Sequence, residues 1–129
     1  MTDINHLPAR GLVIGPSWAD LIVNGQKTWE LRKRPTNIRG EFAVIAKGTG
    51  AIVGAVELTH CIGPLGLSEL MEHRDLAHES ELEIIDDIKN GYVYAWVLSN
   101  AKHFDPPVRY KHPSGAVTWV NLSPDRLTL

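Results

Sequence analysis

The sequence is poor in the features that mark a secreted or membrane-spanning chain. Its 129 residues include one cysteine, Cys61, which excludes an internal disulfide and fits a reducing compartment. No apolar run approaches the roughly 20 residues that a membrane-spanning helix needs. The N-terminus has no positive segment followed by an apolar core, so we expect no signal peptide. These absences favour a soluble, cytoplasmic protein with no membrane partner.

A large excess of one charge sign is also lacking, but the charged residues are unevenly distributed along the sequence. The formal net charge of −2 does not indicate any class of partner. Six of the thirteen basic residues fall in one stretch with only two acids: Lys27, Arg32, Lys33, Arg34, Arg39 and Lys47. Eight of the fifteen acids fall between residues 68 and 90. The basic stretch favours a small anionic ligand over a long nucleic-acid duplex.

Length and pattern indicate one domain, with an N-terminal extension over residues 1–10, a folded domain over 11–123 and a tail over 124–129. Alternating or apolar runs predict about six strands, over residues 12–14, 28–32, 41–46, 52–61, 92–98 and 117–122. The four residues between the third and fourth strands are typical of a hairpin turn. The fold class that follows is α+β, with a curved, mostly antiparallel sheet or small barrel and two or three short helices.

The helices and the breaks between elements follow from local signals. Pro16 and Ser17 open a helix in which Ser17 and Asp20 have capping-box spacing. The acidic residues 67–90 predict one or two short helices broken near His78. We expect these to be ordinary solvated helices, and a lid over the basic strand is the alternative. Pro106 and Pro107 are expected to break the chain.

The most informative stretch is Gly-Gln-Lys-Thr-Trp-Glu-Leu-Arg, residues 25–32. In a strand, Trp29 and Leu31 point to one face, and Glu30 and Arg32 point to the other. That polar face has two interpretations. It is either a solvated ion pair worth about 0–1 kcal/mol, or the floor of a cleft in which Lys27 and Glu30 converge. Burial of the two side chains distinguishes them.

Aromatic and imidazole side chains add few candidates. Trp29 is expected in the core, whereas Trp18, at the start of the first helix, offers a stacking surface for a nucleobase. His73 and His78 miss the i, i+4 spacing that directs two helical ligands to one ion, so we expect no metal site. His112 is expected in a loop, where it either contacts a ligand or is simply solvated. No nucleophilic triad is recognisable, and a lone strand cysteine is usually inert.

Three segments together resemble the ASCH domain family, a branch of the PUA-like superfamily of small β-barrels associated with RNA. Residues 16–32 resemble the family's helix followed by its G-x-K-x-x-E-x-R motif. Residues 52–58 are similar to the strand that begins I-x-G-x-V. Residues 94–98, then Pro107, Tyr110, His112 and residues 115–119, resemble the closing strands. The resemblance extends over about residues 12–122.

The resemblance implies a PUA-like barrel with a cleft lined by Lys27, Glu30 and Arg32 that holds RNA or a nucleoside-sized ligand. Some small members are amidohydrolases that remove the acetyl group from N4-acetylcytidine. They use the motif lysine, a threonine three residues after it and a glutamate of the helical segment. Here Glu30 occupies the threonine position, and Glu72 or Glu79 matches the helical glutamate. Another member is described as a ribonuclease, which adds RNA cleavage as a third possibility.

The leading hypothesis is therefore an RNA- or nucleoside-binding protein. The alternative is an amidohydrolase acting on N4-acetylcytidine or a related acylated pyrimidine nucleoside, with Lys27 and Glu30 as catalytic residues. The expected partner is RNA or a nucleoside-like small molecule, with no cofactor, and the oligomeric state stays open. The expected ligand-binding residues are Trp18, Arg32, Lys33, Arg34 and His112.

Overall fold

The described residues form an α+β fold, with one curved sheet and four helices. The computed structural model describes residues 7–123 and the backbone of residues 127–128. The strands are β1 (Arg10–Ile14), β2 (Trp29–Arg32), β3 (Gly40–Ala46), β4 (Ala51–Ile62), β5 (Tyr94–Tyr110), β6 (Trp119–Asn121) and β7 (Leu127–Thr128). The helices are α1 (Pro16–Val23), α2 (Leu67–Glu72), α3 (Arg74–Ala77) and α4 (Glu81–Asn90).

The sheet has the strand order β2-β5-β4-β3-β1-β6, and β7 pairs with β5. Only the β1–β3 pair is parallel among the described strands, as expected for a mostly antiparallel sheet. The sheet curls into a half-barrel, as the side chain of Arg32 shows. It reaches from β2, at one end of the strand order, to the carbonyl oxygen of Val13 in β1, near the other end.

Two apolar clusters position the elements that carry polar side chains. Helix α1 packs into the sheet through Ala19, Ile22 and Val23, all at most 3% exposed. A separate cluster joins Trp29 and Leu31 of β2 to α2, α3 and α4. The acidic helices are therefore fixed against the reverse face of the same strand that carries Glu30 and Arg32.

Some local predictions are wrong, for identifiable reasons. The N-cap of α1 is Gly15, with no side-chain cap, because Pro16 occupies the first helical position, which suits a residue without an N–H. A capping box does form at the start of α4, between Ser80 and Glu83. The acidic segment forms three helices rather than one or two, with His78 at φ 55° in the break that was expected.

The prediction that Pro106 and Pro107 break the chain is also wrong, because strand β5 continues through them to Tyr110. Ile52 pairs with Val108 and Gly54 pairs with His103, so a bulge takes the residues between them out of the ladder. A proline, which cannot donate to the ladder, is tolerated at such a bulge.

The expected domain bounds stay a prediction, since residues 1–6, 124–126 and 129 lie outside the described part of the chain. Among the described residues, no helix has the length and apolar character needed to cross a membrane.

Candidate functional site

A pocket of about 650 Å³ lies between α1, β2 and α4. Pockets that hold small molecules typically have volumes of about 300–1,000 Å³. The lining includes two aromatic side chains, Trp18 and Tyr92. It also includes five carboxyl groups and three basic groups: Glu30, Glu79, Glu83, Asp86, Asp87, Lys27, Arg32 and Lys47. The pocket is thus polar, with carboxyl groups in excess.

Lys27 is the most deeply buried polar side chain of the pocket, with 2% of its surface exposed. Its Nζ donates a hydrogen bond of 2.6 Å to the Ala77 carbonyl oxygen at the end of α3. The same atom lies 4.8 Å from the centroid of the Trp18 ring, within the range of a cation–π contact. Helix α1 and helix α3 therefore hold the Lys27 amino group from two sides.

The environment of Lys27 makes its neutral form more accessible. Burial lowers the pKa of Lys27 below its ordinary value, because the charged form loses its hydration. The nearby carboxylates of Glu30 and Glu79 act in the opposite direction. The pKa of Lys27 is lowered overall, which is the condition that a lysine needs to accept a proton near neutral pH.

Glu30 and Arg32 form an ion pair on the polar face of β2. Glu30 Oε2 accepts hydrogen bonds of 3.0 Å from Arg32 Nε and 2.8 Å from Nη2. Glu30 Oε1 lies 4.0 Å from Lys27 Nζ, too far for a hydrogen bond. Since the residue is only 7% exposed, Glu30 presents Oε1 as an acceptor in a largely dry part of the pocket.

Glu79 and Asp87 form a carboxyl pair on the opposite wall. Burial, as the largest cause, together with a hydrogen bond to the Asp87 side chain raises the pKa of Glu79 to about 8. Among the described residues no donor reaches Glu79 Oε2 or Asp87 Oδ2, both of which are buried atoms. A proton on Glu79 supplies the missing donor, so this wall carries a neutral carboxylic acid near pH 7.

Two apolar side chains stand at the pocket with most of their surface exposed. Leu82 of α4 is 79% exposed and Val117, before β6, is 80% exposed. Every other exposed large hydrophobic side chain among the described residues is at most 46% exposed. Apolar surface concentrated at a concave polar site is typical of a ligand contact.

The structure brings together only part of the expected site. Trp18, Lys27, Glu30 and Arg32 all line the pocket, and the burial of Lys27 and Glu30 matches the cleft interpretation of the motif. Trp29 is in the core, as expected. The functional roles given to these residues stay predictions.

Three expected ligand-binding residues lie elsewhere. Lys33 and Arg34 line a second groove, which meets the pocket at Arg32. His112 lies in another depression, where its Nε2 bonds to the Ala116 carbonyl at 2.5 Å and its Nδ1 accepts from the Tyr110 hydroxyl at 2.7 Å. Both ring nitrogens of His112 are therefore occupied by this loop.

The acidic wall is the part that sequence reasoning missed. Glu79 faces the pocket, whereas Glu72, the other candidate, is exposed and does not line it. Asp87 was not singled out, although Glu83 and Asp87 have the i, i+4 spacing of one helical face. Helices α2, α3 and α4 pack against Trp29 and Leu31 on the reverse face of β2, and one side of α4 lines the pocket. Whether they act as a lid or as ordinary solvated helices stays a prediction. Within the described residues no group of three metal-binding side chains is present.

The described residues form an α+β fold with a curled sheet, and the pocket lies between that sheet and the helices. A family model for the ASCH domain matches residues 12–108, and the chain belongs to the ASCH domain family. A search of curated proteins gave no match. Three solved structures of an ASCH protein are similar to this chain.

Those structures show the same fold at low sequence identity. The crystal structure of ASCH from Zymomonas mobilis superposes with a TM-score of 0.68 at 18% identity, covering 90% of this chain and 88% of that chain. Two mutant forms of that protein give TM-scores of 0.66 and 0.65 at 19% and 18% identity. Each covers 90% of this chain, and they are covered over 91% and 89% of their own length.

Proposed function

We propose that the protein binds a nucleoside, either free or as one residue of an RNA strand, in the pocket around Lys27. The observation that carries this proposal is the convergence of two buried polar side chains, Lys27 and Glu30, beneath a pocket of nucleoside size. A merely structural ion pair would be solvated and would not line a concave surface.

The chemistry of the lining suits a neutral heterocycle with an amino group. Glu30 Oε1 accepts a hydrogen bond from an exocyclic amine, while Trp18 and Tyr92 offer aromatic surface to the base. The excess of carboxyl groups disfavours a phosphate inside the pocket, because like charges repel in a partly dry site. The bound group is therefore the nucleoside rather than its phosphate.

Titration with cytidine tests this binding. Glu30→Gln is expected to weaken affinity at least about tenfold, because the buried acceptor for the amino group becomes a mixed donor and acceptor. Lys102→Gln, which changes an exposed lysine paired with Glu41, is the control and should bind like the wild type. Absence of binding to folded wild-type protein, for cytidine and N4-acetylcytidine alike, would contradict the proposal.

A second candidate function is hydrolysis of an acylated pyrimidine nucleoside. It is favoured by a specific pair of groups, since the pKa of Lys27 is lowered and the pKa of Glu79 is raised to about 8. Such opposite shifts are characteristic of an acid and a base in one active site. Glu30 stands where the amidohydrolases of the family have threonine, so a carboxylate 4.0 Å from Lys27 Nζ replaces the hydroxyl.

Lys27 and Glu79 together supply the proton transfers that hydrolysis of N4-acetylcytidine needs. Neutral Lys27 takes a proton from water as the oxygen attacks the acetyl carbonyl carbon. The Glu79 carboxylic acid gives its proton to the exocyclic nitrogen as the C–N bond breaks. The products are cytidine and acetic acid, which loses its proton to solvent to become acetate, and proton transfer from Lys27 to Glu79 restores both groups.

Incubation with N4-acetylcytidine, followed by chromatography of released cytidine, tests the hydrolysis. Lys27→Met and Glu79→Gln are each expected to lower the rate by about 10²-fold or more, the range of a lost general base or acid. Glu72→Gln is the matched control, because it alters an exposed helical glutamate outside the pocket. An unchanged rate in Lys27→Met would refute this mechanism. If folded wild-type protein releases no cytidine, the hydrolysis proposal is refuted and only the binding proposal remains.

A further inference from the structure

A second groove adjoins the pocket and has the opposite electrostatic character. Its volume is about 410 Å³, and it shares Arg32 and Tyr92 with the pocket. Three basic side chains, Arg32, Lys33 and Arg34, line it, and no carboxyl group does so among the described residues. The boundary between the acidic pocket and the basic groove lies at Arg32.

Aromatic rings form the other wall of this groove. Trp96 and Trp119 are stacked with ring centroids 6.0 Å apart, and Tyr92 stands at the junction with the pocket. The Arg32 guanidinium lies 5.6 Å from the centroid of the Trp96 ring, and Lys33 Nζ lies 5.2 Å from that of Tyr92. Cations interleaved with aromatic rings are the composition of sites that bind single-stranded nucleic acid.

The groove is also held in shape before any ligand binds. Trp96 Nε1 donates a hydrogen bond of 3.0 Å to the Arg34 carbonyl oxygen, which fixes the loop that follows β2. The side chains of Lys33 and Arg34 remain exposed. Two exposed cations on an anchored backbone suit a phosphate that arrives from solvent.

We infer that this groove is a second subsite, which binds the phosphate and the base of the nucleotide next to the one in the pocket. The inference rests on the proposed function, and it makes the preferred ligand a single-stranded RNA segment rather than a free nucleoside. The phosphodiester leaves the acidic pocket past Arg32 and meets Lys33 and Arg34. The neighbouring base packs on Trp119 and Tyr92, the half-buried rings of the groove, since Trp96 is only 5% exposed. The acidic pocket thereby binds the nucleoside, and the basic groove binds the phosphate and the neighbouring base of the same ligand.

Calorimetric titration with four ligands tests the subsite: cytidine, its 3′-phosphate, its 5′-phosphate and cytidylyl-3′,5′-cytidine. We expect the dinucleotide to bind the wild type on the order of tenfold more tightly than cytidine. One of the two monophosphates should lie between them. The dinucleotide affinity should fall with salt, with a log–log slope of about 0.7 per phosphate contact.

Two double variants, each of which removes two positive charges, show whether the tighter binding of the dinucleotide depends on the groove. The double variant Lys33→Gln/Arg34→Gln should lose the advantage of the dinucleotide and flatten its salt dependence, while cytidine binds within twofold of wild type. The control Lys89→Gln/Lys102→Gln removes two exposed cations that line neither cavity and should behave as wild type.

The outcomes separate this inference from the proposed function. Cytidine binding with no gain for the dinucleotide, or equal losses in the two double variants, overturns the subsite and leaves the pocket in place. Failure of both cytidine and the dinucleotide to bind overturns both proposals. Dinucleotide binding that is tighter than cytidine binding and that depends on Lys33 and Arg34 supports the subsite.

Discussion

At the scale of single residues, the defining feature is a lysine that the fold keeps out of water. An unpaired buried ammonium is costly, so its partners must be supplied by the surrounding elements. Here the Ala77 carbonyl, the Trp18 ring and the nearby Glu30 carboxylate supply them. Lys27 therefore has strict structural requirements, which explains why its variants need a check of folding beside any assay.

Glu79 leads to a prediction about pH. Its ordinary pKa is 4.5 and its pKa in the folded protein is about 8. The contribution of protonated Glu79 to the free energy of unfolding is thus fully present below pH 4.5. It decreases as the pH rises above 4.5 and is lost as the pH passes through about 8. Glu79→Gln keeps a neutral donor for Asp87 at every pH, so the variant should gain stability over wild type between pH 5 and pH 8. We expect about 1–2 kcal/mol, discounted because the side chain is only half buried.

Urea unfolding at several pH values checks this expectation. The control is Glu72→Gln, which replaces an exposed glutamate of the same helical segment. A difference between Glu79→Gln and wild type that stays constant with pH would show that Glu79 does not titrate as the structure indicates.

At the scale of elements, the short helix α3 shows how the pocket wall is assembled. A helix of four residues has no stability of its own, and its terminal carbonyl groups lack partners within the helix. The carbonyl oxygens of Leu76 and Ala77 accept hydrogen bonds from Thr28 N and Lys27 Nζ. The motif segment thus fixes the end of α3, and Glu79 follows two residues later at the pocket.

Helix α1 depends on a close approach at Gly54. A Cβ at this position would lie 2.5 Å from Val23 Cγ1 and still closer to the Lys102 carbonyl oxygen. Gly54→Ala should therefore destabilise the protein by about 1–3 kcal/mol, since neither neighbour is a flexible side-chain end. Weaker nucleoside binding should accompany it, because α1 carries Trp18.

Chemical unfolding of Gly54→Ala and Gly66→Ala measures this effect. Gly66 is the control because the nearest atom to an added Cβ is a flexible Glu69 oxygen at 3.8 Å. That variant should lose less than about 1 kcal/mol. Equal stability of the two variants would contradict close packing as the role of Gly54.

At the scale of the whole molecule, Arg32 connects strands far apart in the sheet order. It donates to Glu30 within β2 and, at 3.2 Å, to the Val13 carbonyl in β1. Arg32→Met should lower the free energy of unfolding by about 2 kcal/mol. This is less than the ~3–5 kcal/mol for one half of a fully buried pair, because the Arg32 side chain is 22% exposed.

A double-mutant cycle tests this role of Arg32. The double variant Arg32→Met/Glu30→Gln should be more stable than Arg32→Met, because it leaves no unpaired carboxylate behind. Arg39→Met is the control, since within the described part of the chain Arg39 bonds to the nearby loop carbonyls of Thr36 and Ile38. A loss in Arg39→Met as large as that in Arg32→Met would argue against a specific connection across the sheet.

Much of the fold is predictable from local pattern. The alternation in residues 28–32 and the Gly-rich hairpin before β4 depend on neighbours in sequence, so their elements appear where expected. The break at His78 is predictable for the same reason. The continuation of β5 through Pro106 and Pro107 is not, because it depends on the bulge opposite Ile52 and Gly54. Likewise Glu79 and Asp87 are distant from Lys27 in sequence, and only their burial together perturbs the pKa of Glu79.

By itself the sequence determined the α+β class, the ASCH resemblance and the central motif, because periodicity and short motifs are local properties of the chain. The tertiary structure decided that Lys27 and Glu30 are buried, that the acidic helices form the opposite wall and that Lys33 and Arg34 line a separate groove. Those features depend on which distant segments the curved sheet brings into contact. Burial and charge at a site are sums over neighbours in space, and such neighbours are not neighbours in sequence.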